Sequence, residues 1–189
     1  VDSKDPTRVI ETVVAIAPSF GAIQLEDIGA PECFEIEDAL IERLDIPVLH
    51  DDQHGTAVVT LAAVRNAGRI ANQRLSTSVV GQIGLGAAGI GIARLLFARG
   101  VERILGADLD PGALTRFSAL GGEPADLDRI MAEADIVIAT TGVKGLIRPQ
   151  QVRKGQVVLA LTNPEPEIEP QLAMEAMVVK LRAPRLAGR

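Results

Sequence analysis

Gly84-Leu85-Gly86-Ala87-Ala88-Gly89 decides the fold. The six residues follow a strand-like run, Ser78 to Ile83, and lead into an apolar, helix-like stretch, Ile90 to Arg99, that Gly100 stops. A G-x-G-x-x-G alone is a weak sign. Set between a strand and a helix, with an acid at the end of the next strand, it marks a dinucleotide-binding βαβ unit. That acid is Asp108, which closes the run Val101 to Ala107 at the spacing of about 20 residues such units show. Gly84 permits the tight turn, Gly86 lets backbone approach a pyrophosphate, and Gly89 lets the helix meet the strand, so that phosphates rest on the helix N-terminus. Gly84, Leu85, Gly86, Ala87, Ala88, Gly89 and Asp108 are therefore expected to hold a cofactor. Asp108 should accept hydrogen bonds from ribose hydroxyls. Asp110 adds negative charge, and no Lys or Arg follows Asp108 before Arg116, which favours NAD over NADP. The alternative is a glycine turn that only packs helix against sheet.

Beyond the turn, Pro111 to Leu120 and Leu127 to Ala134 read as helices. Ile136 to Ala139 and Val157 to Leu161 read as strands, ending in Thr140-Thr141-Gly142 and Thr162-Asn163-Pro164, and a helix is expected from Pro170. Upstream, Asp5-Pro6 starts a helix with Val9, Val13 and Ile16 on one face. A strand to Leu25, a helix from Pro31, a strand Ile46 to Leu49 and a long helix Thr56 to Ala71 follow. Such alternation implies a parallel sheet. The fold class expected is α/β, a doubly wound parallel sheet with a Rossmann-like dinucleotide-binding domain, preceded by helix-strand-helix-strand units. The polar break Asn72 to Ser76 is the one plausible internal boundary.

Both upstream strands run into acids, Glu26-Asp27 and Asp51-Asp52. In open α/β sheets ligands sit outside the carboxyl ends of strands. Taken singly, each pair reads as capping carboxylates on a solvated strand end. Converging on one cleft, they would repel unless a cation or protons intervened, and oxygen-only ligands suit Mg²⁺ or Mn²⁺. His50 and His54 flank the second pair and read as supporting residues, and a lone thiol, Cys33, makes no zinc set. Asn163 reads equally as an Asx turn before Pro164 or as an amide for a substrate carboxylate or ribose.

The 189 residues suit a domain of ordinary size, and 47% apolar with 23% charged residues is a soluble globular composition. A net charge of −6 without a basic face speaks against nucleic acid. A single cysteine favours a reducing compartment, and no run reaches the ~18 apolar residues of a membrane span. No repeat or low-complexity tract occurs.

Together these stretches resemble the malic enzymes of the bacterial type. The likeness rests on Phe20-Gly21-Ala22-Ile23-Gln24-Leu25-Glu26-Asp27-Ile28, on Ala30 to Glu35, and on Asp45 through Ala57. The glycine turn and Asn163-Pro164 match as well, and the likeness runs in order over roughly residues 1–175. It implies oxidative decarboxylation of L-malate to pyruvate and CO₂, with hydride transfer to NAD, NADP being less favoured, and with Mg²⁺ or Mn²⁺ assisting. It matches Glu26, Asp27 and Asp52 to metal ligands, Asp51 to an adjacent catalytic carboxylate, and Asn163 to a substrate contact that also lies beside the cofactor. Residues 1–72 then become the substrate and metal side with a connector helix, 73–177 the NAD-binding domain, and 178–189 an unplaced basic tail. A cytoplasmic homo-oligomer, dimer or larger, is also implied. The family's catalytic tyrosine and lysine find no match: the sequence has no Tyr, and Lys4, Lys144, Lys154 and Lys180 align with no family base. The chain is thus expected to be the metal and cofactor half of such an enzyme, turning over little alone. The alternatives are a catalytically dead NAD- or metal-binding module, another metal-dependent hydroxy-acid dehydrogenase, or a malolactic-type enzyme.

Overall fold

The glycine turn follows the first strand, in chain order, of a six-stranded parallel sheet in the computed structural model, which describes residues 2–175 and 179–180. In chain order the elements are α1 (Pro6–Ile16), β1 (Ile23–Leu25), α2 (Glu32–Arg43), β2 (Val48–His50), α3 (Asp51–Ala71), β3 (Val80–Ile83), α4 (Ala87–Ala98), β4 (Ile104–Ala107), α5 (Pro111–Ala119), β5 (Glu123–Pro124), α6 (Leu127–Glu133), β6 (Ile136–Ala139), β7 (Val157–Ala160), α7 (Pro170–Glu175) and β8 (Val179–Lys180). The large sheet runs β5-β4-β3-β6-β7-β8, every neighbouring pair parallel. Counted from β3, that is the order of a doubly wound dinucleotide-binding sheet, with its crevice where β3 and β6 diverge.

The pleat explains why both faces are covered. Ile136 and Ile138 of β6, with Val157 and Leu159 of β7, enter the core under α3, α4 and α5, where Ala57, Val64, Leu96 and Phe117 lie. Their alternates, Val137, Ala139, Val158 and Ala160, enter a second core with Ile130, Met131 and Ala173. Side chains alternate faces along a strand, so strands apolar at every position need helices on both sides. Strands β3, β6 and β7 are buried throughout.

The first fifty residues fold around their own cluster, Ile10, Val13, Leu25, Ile36 and Leu40, beneath the small parallel pair β1-β2. Asp5 caps α1 by accepting from the Thr7 amide. Helix α3 shares its core with the large sheet.

Three elements differ from the sequence expectation. Helix α3 starts at Asp51, not Thr56, so Asp51 and Asp52 lie in its first turn, where carboxylates suit the helix dipole. The short strand β5 contains Pro124, tolerated because β5 is the sheet edge. Strand β8 adds a further edge. Apart from Val179 and Lys180, the basic tail 178–189 lies outside the described residues. Among those residues no helix is long and apolar enough to cross a membrane.

Candidate active site

The turn after β3 has the features the glycines predict. Gly84 has φ 87°, and a Cβ there would stand 2.7 Å from the Thr140 carbonyl oxygen. A Cβ on Gly89 would stand 1.9 Å from the Gly84 carbonyl oxygen, so helix and turn touch only because that position is glycine. Gly86 is different: nothing lies within 4 Å of its added Cβ, which leaves open space at the N-cap of α4. Asp108 reaches back from β4, accepting from the Leu85 amide at 2.6 Å and the Asp110 amide at 2.9 Å. It therefore braces the turn as well as standing at the expected ribose position. Asp110 caps α5 and its carboxyl is held low, first by the Gly112 amide, then by the Ala113 amide and Arg116. Arg116 thus answers part of the negative charge the sequence suggested.

The acid pairs meet. Strands β1 and β2 run parallel with Leu25 opposite His50, so both acidic ends leave the same edge. The Asp27 residue turns back with φ 59°, and its amide donates to Asp52 Oδ2 at 3.0 Å. Glu26 and Asp27 are exposed, while Asp51 and Asp52 are half-buried. Gly55, a costly residue inside a helix, has a reason here. Its Cβ would stand 2.4 Å from Asp51 Oδ1, so glycine keeps the space that the Asp51 carboxylate fills.

Beneath the pair lies a buried carboxylate that sequence reading left on the polar side of α2. Glu37 Oε1 accepts from the His50 amide at 2.7 Å, and Oε2 accepts from Gln53 Nε2 at 3.0 Å. His54 Nε2 stands 2.9 Å from Oε1. The His50 ring is wholly buried, with neither nitrogen hydrogen-bonded and Nδ1 4.0 Å from Asp52 Oδ2. Cys33 shares this pocket: burial, then the Glu37 charge, pushes its thiol up to about 11. A protonated, buried thiol is inert.

The donor chemistry here suits a hard divalent cation. Among the described residues, however, no three His, Cys, Asp or Glu side chains converge as a metal site, so Asp27 and Asp52 are gathered without a complete cage. What ties the acids to the glycine turn is a helix crossing. A Cβ on Gly91 of α4 would stand 2.5 Å from the Gln53 carbonyl oxygen, directly after Asp52.

Sequence comparison bears on this arrangement. The family described as malic enzyme, NAD binding domain, matches residues 53–112. NAD-dependent malic enzyme 1 of Bacillus subtilis (strain 168) is 55% identical over 177 residues, covering 93% of this chain and 40% of its own length. Over nearly its whole length the chain is similar to malic enzymes. The NADP-dependent malic enzyme of Escherichia coli (strain K12) is 40% identical over 190 residues, 93% of this chain and 25% of that protein. The crystal structure of an NAD-dependent malic enzyme from Thermotoga maritima superposes with TM-score 0.87 at 33% identity, covering 98% of this chain and 54% of that one. The chain thus spans well under two thirds of the length of these relatives.

On the other lip of the crevice, Asn163 is exposed after β7, and its amide makes no hydrogen bond among the described residues. Sequence reading missed its neighbour Glu167, which is fully buried. Glu167 accepts from the Thr141 amide and hydroxyl at 2.8 and 3.0 Å and from the Thr162 hydroxyl and amide at 2.5 and 3.3 Å.

Proposed function

We propose that this chain supplies the NAD- and metal-binding part of an enzyme that converts L-malate and NAD to pyruvate, CO₂ and NADH. One observation carries the reading. The acid pairs meet at Asp27–Asp52, and the residue after Asp52 packs on the helix that the glycine turn begins. A polar substrate held by those acids lies beside a dinucleotide held by that turn.

The parts divide as follows. Gly84, Leu85, Gly86, Ala87, Ala88 and Gly89 cradle the pyrophosphate against the α4 N-terminus, and Asp108 orients the adenosine ribose. Asn163 offers its amide to the substrate carboxylate or the nicotinamide ribose. Glu26, Asp27 and Asp52 are the side chains to hold Mg²⁺ or Mn²⁺, with Asp51 the remaining carboxylate at the reacting centre. Their support is donor type and the paired strand ends. Held there, such an ion would supply Lewis acidity to a developing negative charge on the substrate. NAD is preferred to NADP because Asp108 stands where a 2′-phosphate would be repelled. The same reading makes the enzyme a cytoplasmic homo-oligomer.

Titration with Mn²⁺ tests the metal assignment. Asp52→Asn should weaken Mn²⁺ binding by more than about tenfold while NAD affinity stays within about twofold. Equal Mn²⁺ affinity in the two proteins removes Asp52 from the site. Malate-dependent NADH formation with Mn²⁺ should give pyruvate; lactate as product would move the reading to a malolactic-type reaction.

A further inference from the structure

Glu167 is a wholly buried carboxylate that, among the described residues, forms no ion pair with Lys or Arg; the nearby Lys144 pairs with Glu165 instead. Burying a charge without a counter-ion is costly unless donors replace the lost water. Four donors do so, and all come from the two segments that leave the carboxyl ends of β6 and β7. The stitching continues outward. The Thr162 hydroxyl, which donates to Glu167, accepts from the Gly142 amide at 2.9 Å, and the Thr141 hydroxyl accepts from the Val143 amide at 3.1 Å. Three successive amides, at residues 141, 142 and 143, are thereby spent inside the lip. Next to this knot Asn163 is exposed, and its amide makes no hydrogen bond among the described residues. The knot also reaches the cofactor turn, because Gln82 Nε2 donates both to the Gly84 carbonyl and to the hydroxyl of Thr140.

We propose that Glu167 is a positioning residue for the nicotinamide half of the cofactor site. Its carboxylate locks Thr141 to Val143 and Thr162 to Asn163 into one rigid lip and so fixes where the Asn163 amide stands. This rests on the dinucleotide reading above. In a doubly wound sheet the adenosine half lies over β3 and β4 and the other half over β6 and β7, so damage to this lip should be felt by one half only.

The test is calorimetric titration of the chain with NAD and with ADP, which carries only the adenosine half. Glu167→Gln places an amide among four donors and should weaken NAD about tenfold while ADP stays within about twofold. Thr162→Val should act like Glu167→Gln. Thr162→Ser keeps the hydroxyl and should bind like the original chain, which keeps the test informative if a Glu167 variant folds poorly. If the unaltered chain binds both nucleotides but the variants weaken NAD and ADP alike, or neither, the inference falls and the dinucleotide reading stands. If the unaltered chain binds neither nucleotide, both fall.

Discussion

Single carboxylates do three different jobs here, and their sequence neighbours do not distinguish them. Glu35, Glu37 and Asp38 look like one solvated face, yet Glu37 is buried while the other two are exposed. The helical period held the clue: Cys33, Ile36, Glu37 and Leu40 form the buried stripe of α2, so Glu37 sits on the apolar face. Removing its carboxylate strands the His50 amide and the Gln53 side chain, both closed to water, and leaves the partly exposed His54 without its partner. Glu37→Ala should therefore cost about 3 kcal/mol, seen as a lower urea midpoint with unchanged slope, and Glu37→Gln should cost less. A midpoint that does not move would mean water already reaches those donors. Glu167 gave no comparable signal, because Pro-Glu-Pro-Glu reads as a loop and its burial depends on two segments brought together only by the sheet. The place of Asp108 just after β4 was legible from local spacing, but its brace on the Leu85 amide was not.

Strands and helices separate what the fold needs from what a ligand needs. The elements around the glycine turn were legible because their signals are short-range: apolar strands, turn glycines, Asp-Pro helix starts. The start of α3 was not, because His-Asp-Asp-Gln-His has no helical apolar pattern, and the turn is held instead by Glu37 from another helix. Within the turn itself, two glycines make opposite predictions. Gly89→Ala drives a methyl to 1.9 Å from a backbone oxygen that cannot swing away, and should cost on the order of 3 kcal/mol of stability. Gly86→Ala meets nothing and needs no positive φ, so the melting temperature should hold. The same methyl would stand where backbone must approach a pyrophosphate, so NAD affinity should fall about tenfold or more. Melting curves and NAD titrations on both variants decide it. If Gly86→Ala binds NAD normally, the phosphates do not rest on this turn.

Across the whole molecule, cores and polar clusters take different shares of the work. Two apolar cores fix the sheet, and a third holds the first fifty residues, so the acid-bearing strand ends depend on α3 crossing α4 for their place beside the glycine turn. The far edge of the sheet has another support. Arg103 pairs with Glu123 at 2.9 Å and Glu133 at 2.8 Å, and Arg129 pairs with the same two acids, binding edge strand β5 to α6 and to the start of β4. Exposed pairs count for little singly, but four charges sharing partners form a network. Both carboxyls are held below the ordinary glutamate range, Glu123 first by Arg103 and Glu133 first by Arg129. A carboxyl depressed in the folded state contributes stability above its unfolded value, near 4.3 for glutamate, and loses it as pH falls through the folded value. The melting temperature should thus drop as pH falls below about 4.3, and 1 M salt should shrink the drop by screening the exposed pairs. Replacing Arg103 and Arg129 together by Ala should flatten the decline without abolishing it. Glu11 beside Arg43, and Asp110 at its helix cap, are depressed too and contribute to the same acid-side decline. Parallel melting profiles for the two proteins between neutral and acid pH would show that the edge network adds nothing to folding. The sheet edge would then rest on the β4–β5 ladder alone.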